Sequence, residues 1–272
     1  MPVTLDQIVA ATRQKLAATR SGPDRAAIEK IAEAHVPRGF RRALNERKGA
    51  AVIAELKKAS PSRGLIRSEF HPETLAKELE SAGAAALSVL TDADFFQGSL
   101  ENLRMASAAA SIPCLRKDFI IDEFQVVEAR ANCADAILLI VAALSQSELA
   151  RLAEAAALCG LDVLCEVHDR HELTRATDVG CDLIGVNNRD LRTFNVSLDT
   201  AVSLAEFMPR NSTRVAESGI HSADDMARLR AAGYDAFLIG ESLMKAASPG
   251  EALRALLSEE AVASESNRRL KD

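Results

Sequence analysis

The sequence predicts an α/β protein that folds as a closed (βα)8 barrel with an N-terminal helical extension. Short apolar runs rich in β-branched residues recur at intervals of about 22 to 34 residues, with helical patterns between them. An interval of that length holds one strand, one helix and two turns, which predicts repeated right-handed βα crossovers and a parallel sheet. Eight such units favour a closed barrel over an open doubly wound sheet, because the two folds share the local pattern and differ in the count.

Helix start and stop signals support this interpretation. The predicted strands begin near Ala51, Ala85, Ile112, Asp135, Leu161, Leu183, Thr213 and Asp235. Residues 145–148 and 169–172 resemble capping boxes. A residue that tolerates the left-handed conformation stands between a helical pattern and the next strand at Gly83, Asn132, Gly160, Gly180 and Gly233.

The order of these units divides the chain into three regions. Residues 1–47 precede the first strand and carry helical patterns over about 5–20 and 24–34, which predicts a helical extension packed on the barrel. Residues 48–257 form the barrel. Residues 258–272 are polar and charged, and we expect a frayed tail.

Composition excludes several classes of protein. A chain of 272 residues that is 48% hydrophobic can bury a sizeable core, and its net charge of -6 leaves no basic stripe for nucleic acid or an anionic membrane. The longest uncharged apolar run, residues 136–144, is far shorter than the roughly 20 residues of a membrane span, and no signal peptide is expected. The five cysteines form no C-x-x-C pair, which predicts a reduced set of core residues in a cytoplasmic protein.

Polar side chains interrupt the strand pattern where a barrel carries its active site. Alternate strand residues face the barrel interior, and catalytic groups stand at the C-terminal ends of the strands. Counting from the apolar, helix-facing positions places these side chains inward at the ends of five strands: Glu55 with Lys57, Lys117, Glu166, Asn187 and Glu217. Unpaired buried charges cost several kcal/mol, so their convergence predicts either mutual pairing or a functional site.

The choice of lysine at two of these positions favours acid–base chemistry. Only nine of the 33 basic residues are lysines, and Lys57 and Lys117 are two of them. An amine can shift its pKa and donate a proton near neutrality, whereas a guanidinium cannot. A structural lysine–glutamate network at the barrel rim is the alternative.

Loops after three strands complete the predicted site. Residues 58–64 have the Pro, Ser and Gly content of a constrained lid. Residues 217–220 and 239–242 end the seventh and eighth strands, where barrels bind phosphate through backbone N–H groups.

Other candidate motifs do not predict a site. His168 and His171 are spaced like a metal pair, but they open a helix and lack a third ligand, so we expect a structural role and no metal site. No dinucleotide or P-loop motif is present. We expect Asp118, Asp135 and Asp190 to be turn or cap residues.

Seven segments in chain order resemble indole-3-glycerol phosphate synthases. They are IAELKKASPS (53–62), LTD (90–92), FFQGS (95–99), LRKDFI (115–120), GVNNRDL (185–191), AESGI (216–220) and IGESLM (239–244). The resemblance spans nearly the whole barrel and implies a TIM-barrel lyase of tryptophan biosynthesis. Such an enzyme closes the indole ring of 1-(2-carboxyphenylamino)-1-deoxyribulose 5-phosphate with loss of carbon dioxide and water. The family implies no metal or organic cofactor.

The resemblance also implies catalytic roles, position by position. Lys117 resembles the general acid that protonates the substrate carbonyl oxygen, and Glu166 resembles the group that moves protons in the dehydration. Glu55 and Asn187 look like orienting partners. Lys57 is similar to the lysine that faces the substrate carboxylate, and which lysine dominates each proton transfer is left open.

The implied substrate-binding set is larger. It comprises Ser60, Phe119, Arg189, Glu217, Ser218, Gly219, Gly240 and Glu241. Arg189 and Glu217 match supporting positions of the family, while Ser60, Ser218, Gly219, Gly240 and Glu241 match its phosphate-binding positions. Glu241 departs from the serine of many relatives, and a carboxylate is adverse there unless it points away from the phosphate.

Two other functions stay open from the sequence. One is a sugar-phosphate aldolase that uses Lys117 or Lys57 as a Schiff-base nucleophile, and the other is a non-catalytic phosphate-binding barrel. The expected partner is a phosphorylated small molecule rather than nucleic acid or membrane. We expect a monomer, with weak association with other tryptophan-pathway enzymes left open.

Overall fold

Eight parallel strands close into a barrel in the computed structural model, which describes residues 4–19, 25–191 and 193–269. In chain order they are Ala51–Leu56, Ala86–Leu90, Cys114–Lys117, Ala136–Ile140, Asp162–Val167, Leu183–Asn187, Thr213–Glu217 and Ala236–Ile239. Each pairs with its neighbours in the chain, and the first pairs in parallel with the last, with Ala51 opposite Ala236. The predicted (βα)8 barrel is confirmed, and every strand begins within two residues of its predicted start.

Helices cover the outside of the barrel. The larger ones after the strands are Pro72–Ala82, Leu100–Ala109, Glu123–Ala131, Gln146–Leu158, Arg170–Asp178, Asp199–Leu204, Ala223–Ala231 and Pro249–Arg269. Shorter helices are Ala93–Phe96 and Glu241–Lys245, with 3-10 turns at Val141–Ala143 and Ala205–Phe207. Ser145 and Glu148 form the predicted capping box. Asp169 also caps its helix, but the Glu172 side chain accepts from the backbone N–H of His168 instead.

Alternation along the strands creates two apolar cores. Residues such as Val52 and Leu56 pack in the core between strands and helices, whereas Ile53 and Leu164 pack in the core inside the barrel. The inward and outward phases therefore follow the sequence prediction. A two-stranded hairpin, Ala59–Ser60 with Gly64–Leu65, forms in the loop predicted as a lid.

The N-terminal extension contains three described helices, Leu5–Thr19, Arg25–Ala34 and Phe40–Glu46. The sequence predicts the first two, although the predicted limits at residues 20 and 24 lie outside the described residues. The third was not predicted because it follows Gly39, which offers no side-chain cap. Phe40 and Leu44 of this helix belong to the inner core and close the N-terminal end of the barrel. The first helix lies at the opposite end, where Leu5 and Ile8 line the mouth.

A buried carboxylate holds the extension to the barrel. Asp135 is fully buried and accepts hydrogen bonds from Arg38 Nη2 at 2.6 Å and from the backbone N–H of Cys114 at 2.7 Å. His35 Nε2 lies 3.2 Å from the same carboxylate. The sequence predicts a turn or cap here, but the side chain instead anchors a segment about a hundred residues away. That partner cannot be read from local sequence.

Two further expectations were wrong. The last helix runs through Arg269, so residues 258–269 are helical rather than frayed, while 270–272 lie outside the described residues. Glu260 explains the longer helix, because it is buried and pairs with Arg230 at 2.8 Å.

The cysteines are not all reduced: Cys165 and Cys181 form a disulfide, while Cys114, Cys133 and Cys159 are free. The disulfide was not predicted because no local motif connects the two cysteines, which come together only in the folded barrel.

None of the described helices is long and apolar enough to cross a membrane.

We expect Asp135→Asn to lower the free energy of unfolding by about 3–5 kcal/mol, because it leaves the Arg38 guanidinium without its buried counter-charge. Urea unfolding followed by circular dichroism measures the loss. The matched control is Asp178→Asn, the same change at an exposed aspartate. Equal stability of the two variants would show that Asp135 does not anchor the extension.

Candidate active site

A cavity of about 340 Å³ opens at the C-terminal ends of the barrel strands. All thirteen predicted site residues line it: Glu55, Lys57, Ser60, Lys117, Phe119, Glu166, Asn187, Arg189, Glu217, Ser218, Gly219, Gly240 and Glu241. The parallel barrel explains this convergence, because it brings every strand's C-terminal end to the same mouth.

Lys117 lies at the centre of the charged groups. Its Nζ donates a hydrogen bond to Glu166 Oε2 at 2.8 Å and lies 3.6 Å from Glu217 Oε2. Burial alone would lower the pKa of Lys117, but Glu166, Glu217 and Glu55 outweigh it and raise the pKa above its ordinary value. Lys117 therefore carries a proton at neutral pH. The structure shows an ammonium held by carboxylates rather than an amine with a lowered pKa.

Glu166 is held at both carboxylate oxygens. Oε2 accepts from Lys117, and Oε1 accepts from Asn187 Nδ2 at 3.1 Å. Burial opposes the charge of this nearly inaccessible side chain, but Lys117 and His168 lower its pKa below the ordinary value. Glu166 is therefore ionised and can accept a proton.

Glu217 has the opposite electrostatic environment. Burial raises its pKa, and the negative charges of Glu166 and Glu55 add to the shift. Its Oε1 atom makes no hydrogen bond to any described residue. Two carboxyl groups near one ammonium thus prefer different protonation states, an arrangement found where acid and base roles are divided.

One glycine within a strand and one just after a strand make room for Glu217 and Glu55. A Cβ at Gly185 would overlap with Glu217 Oε1, and a Cβ at Gly240 would overlap with Glu55 Oε1. Glycine within or beside a strand often marks such a close approach. Glu55 in turn lies 3.2 Å from Lys57 Nζ, which stands 5.7 Å from the centre of the Phe96 ring.

The loops after the first, seventh and eighth strands bring small and charged residues to the mouth. Ser218 and Gly219 both have positive φ, and Ser60 Oγ is buried without a hydrogen-bond partner among the described residues. The Glu241 carboxylate lies 2.6 Å from Lys245 and 3.0 Å from Arg63 on the hairpin loop. Its charge is thus directed to neighbouring cations.

The sequence did not identify several residues that lie at the mouth or directly behind it. Leu5 and Ile8 come from the N-terminal helix, and Arg63 comes from the hairpin loop. His168, expected to be structural, points its Nε2 towards Glu166 Oε1 at 3.4 Å. Extending the inward alternation from Glu166 by one step would have identified it. No group of three or more metal-ligating side chains occurs in the described ranges.

Comparisons with known proteins point to one enzyme family. The family model for indole-3-glycerol phosphate synthase matches residues 5–256. An indole-3-glycerol phosphate synthase from Koribacter versatilis (strain Ellin345) is 62% identical over 94% of this chain and 100% of its own length. One from Leptothrix cholodnii (strain ATCC 51168 / LMG 8142 / SP-6) is 49% identical over 93% of this chain and 98% of its own length.

Solved structures that are more distant share the fold alone. A 3-hexulose-6-phosphate synthase from Salmonella typhimurium has a TM-score of 0.61 at 13% identity, covering 78% of this chain and 98% of its own. A thiamine phosphate pyrophosphorylase from Pyrococcus furiosus has a TM-score of 0.57 at 18% identity, covering 78% of this chain and 95% of its own.

We expect Gly185→Ala to lower kcat by about 10- to 100-fold, because the new methyl group displaces the Glu217 carboxyl from the reacting groups. Steady-state kinetics measures the loss. Gly180→Ala is the control: it strains a backbone with φ of 79° in open space, away from the mouth. It should lose some stability but keep kcat, and equal kcat in both variants would contradict the prediction.

We expect Glu217→Gln to stabilise the fold increasingly as pH rises. Burial raises the pKa of Glu217 from 4.5 to about 8, so between these values the folded protein binds a proton that the unfolded chain has lost. Rising pH therefore weakens the wild type in this range, and the neutral amide removes that dependence. Urea unfolding across the range should show a growing difference in unfolding free energy, whereas a constant difference would refute the assignment.

Proposed function

This chain belongs to the indole-3-glycerol phosphate synthase family, and we propose that Lys117 and Glu166 carry out the proton transfers of its reaction. The enzyme is a carboxy-lyase of tryptophan biosynthesis. It converts 1-(2-carboxyphenylamino)-1-deoxyribulose 5-phosphate into indole-3-glycerol phosphate with release of carbon dioxide and water. The 2.8 Å contact between Lys117 and Glu166 within the mouth is the observation that supports the proposed roles most directly.

Ring closure requires a proton at the substrate carbonyl oxygen. As the ring carbon attacks, the oxygen becomes an alkoxide, which is more basic than an amine. The Lys117 ammonium can therefore protonate it although its carboxylate neighbours raise the pKa of the lysine. Loss of carbon dioxide then restores the aromatic ring.

Dehydration requires a base and a proton for the departing hydroxyl group. Glu166 is ionised and stands beside Lys117, so we assign it the removal of a proton from the substrate carbon next to the nitrogen; Glu166 then passes this proton to the departing hydroxyl group, which leaves as water. Asn187 orients its carboxylate through Oε1. Glu55 fixes Lys57, which we assign to the substrate carboxylate.

The remaining lining fits the two ends of the substrate. Leu5, Ile8 and Phe96 offer an apolar wall for the anilino ring. Ser218, Gly219 and Gly240 offer backbone N–H groups to the phosphate, with Arg189 nearby. We propose that Glu241 uses only its backbone there, because its carboxylate pairs with Lys245.

The alternative functions have less support. A Schiff-base aldolase needs a neutral lysine nucleophile, but the carboxylates around Lys117 raise its pKa and keep it charged. A binding barrel has no need of an ammonium between two carboxyl groups of different proton affinity. Borohydride trapping of a lysine adduct would favour the aldolase.

The cellular setting is part of the proposal. The substrate is a phosphorylated small molecule, as the family requires. The net charge of -6 supports the exclusion of nucleic acid as a partner. We propose a cytoplasmic monomer, and sedimentation analysis of the purified chain tests its oligomeric state.

We expect Lys117→Ala to lower kcat by about 10²- to 10⁴-fold, because the variant lacks the proton donor for ring closure. Indole fluorescence follows turnover without tryptophan background, since the chain contains no tryptophan. Titration calorimetry should show substrate affinity close to that of the wild type. The control is Lys77→Ala at an exposed lysine, which should keep the wild-type kcat. Near-normal turnover by Lys117→Ala would show that Lys117 is not the proton donor for ring closure.

A further inference from the structure

His168 is a largely buried histidine between two carboxylates at the end of the fifth strand. Its Nδ1 lies 3.0 Å from Glu172 Oε2, and its Nε2 lies 3.4 Å from Glu166 Oε1. Among the described residues, no polar atom lies in hydrogen-bond geometry with this Nε2. The ring therefore connects a helix residue remote from the cavity with the carboxylate that contacts Lys117.

We propose that His168 is a positioning residue for the dehydration step: Glu172 holds the imidazole ring, and the ring fixes the carboxylate of Glu166 beside Lys117. The inference rests on the proposed role of Glu166. It adds a residue that does not itself line the cavity.

Two contacts with Glu172 restrict the orientation of the His168 ring. One carboxylate oxygen, Oε2, accepts from the His168 backbone N–H at 2.8 Å and also contacts Nδ1 at 3.0 Å. Backbone and ring are thus fixed by one atom. Because Glu172 follows four residues later in the helix Arg170–Asp178, the helix sets the direction in which Nε2 points.

The charges around the ring give it an electrostatic role. Burial opposes protonation, but Glu166 and Glu172 raise the pKa of His168 to about 10, so the ring is cationic at neutral pH. Glu166 is also faced by Lys117 and by the amide of Asn187, and Glu217 lies across Lys117. When Lys117 gives its proton to the substrate, His168 remains as the cation beside Glu166. Glu166 can then stay ionised for the next step.

Two amide substitutions at His168 distinguish the effect of its Nε2 contact with Glu166 from the effect of its positive charge. The amide nitrogen of His168→Gln can take the place of Nε2, whereas that of His168→Asn reaches only the place of Nδ1. We expect His168→Asn to lower kcat about tenfold with KM nearly unchanged, a smaller effect than the about 10²- to 10⁴-fold of a complete acid or base. His168→Gln should retain more of kcat than His168→Asn.

The pH profile supplies a readout that a purely structural role would not move. Both amides are neutral, so both variants lose the cation that lowers the pKa of Glu166. The acid limb of the kcat profile should therefore shift to higher pH in both. The control is His171→Asn, an exposed histidine on the same helix, which should keep the wild-type kcat and profile.

The variant Glu166→Gln distinguishes a wrong role for Glu166 from a wrong inference about His168. If Glu166→Gln turns over normally, the proposed role of Glu166 is wrong. If it is impaired while both His168 variants keep wild-type kcat and pH profile, only the inference about His168 is overturned, even if their melting temperatures fall. Should the His168 variants not fold, Glu172→Gln replaces them: a smaller shift of the acid limb in the same direction supports the inference, and an unchanged profile overturns it.

Discussion

The buried contact between the Lys117 ammonium and the Glu166 carboxylate is the constraint on which the rest of the site depends. Removing two charges from water costs several kcal/mol per ion unless geometry and further hydrogen bonds compensate. Asn187 supplies such a bond to the carboxylate, and Glu217 adds a second carboxyl near the ammonium. Closure of the barrel makes this possible, because it brings the ends of strands three, five, six and seven to one point.

Space around these charges is set by the backbone as much as by the side chains. Gly185 and Gly240 leave gaps that the carboxyl groups of Glu217 and Glu55 fill. Burial of Glu217 then raises its pKa, while Lys117 and His168 lower that of Glu166. The missing methyl group at Gly185 thus leaves room for Glu217 near Lys117, in an electrostatic environment that differs from that of Glu166.

Sequence periodicity predicts the parts of the molecule that depend on local pattern. Alternation along each strand identified the inward charges, including Lys117 and Glu217, before any partner strand was known. It did not predict the helix Phe40–Glu46, whose stability comes from the inner barrel core rather than from a capping signal. The disulfide of Cys165 with Cys181 and the anchor at Asp135 depend on contacts between segments distant in sequence. Such contacts exist only once the barrel has closed.

Glu241 shows how the surroundings of a residue decide whether its charge is harmful. A carboxylate at a phosphate-binding turn would repel the substrate if its charge faced the ligand. Here Lys245 and Arg63 lie within 3.0 Å of it, so the local charge is balanced before any anion arrives. Because Lys245 lies four residues later in the same short helix, the helix itself directs the carboxylate towards a cation. The backbone at Gly240 and Glu241 thereby remains compatible with a bound phosphate even though the side chain is acidic.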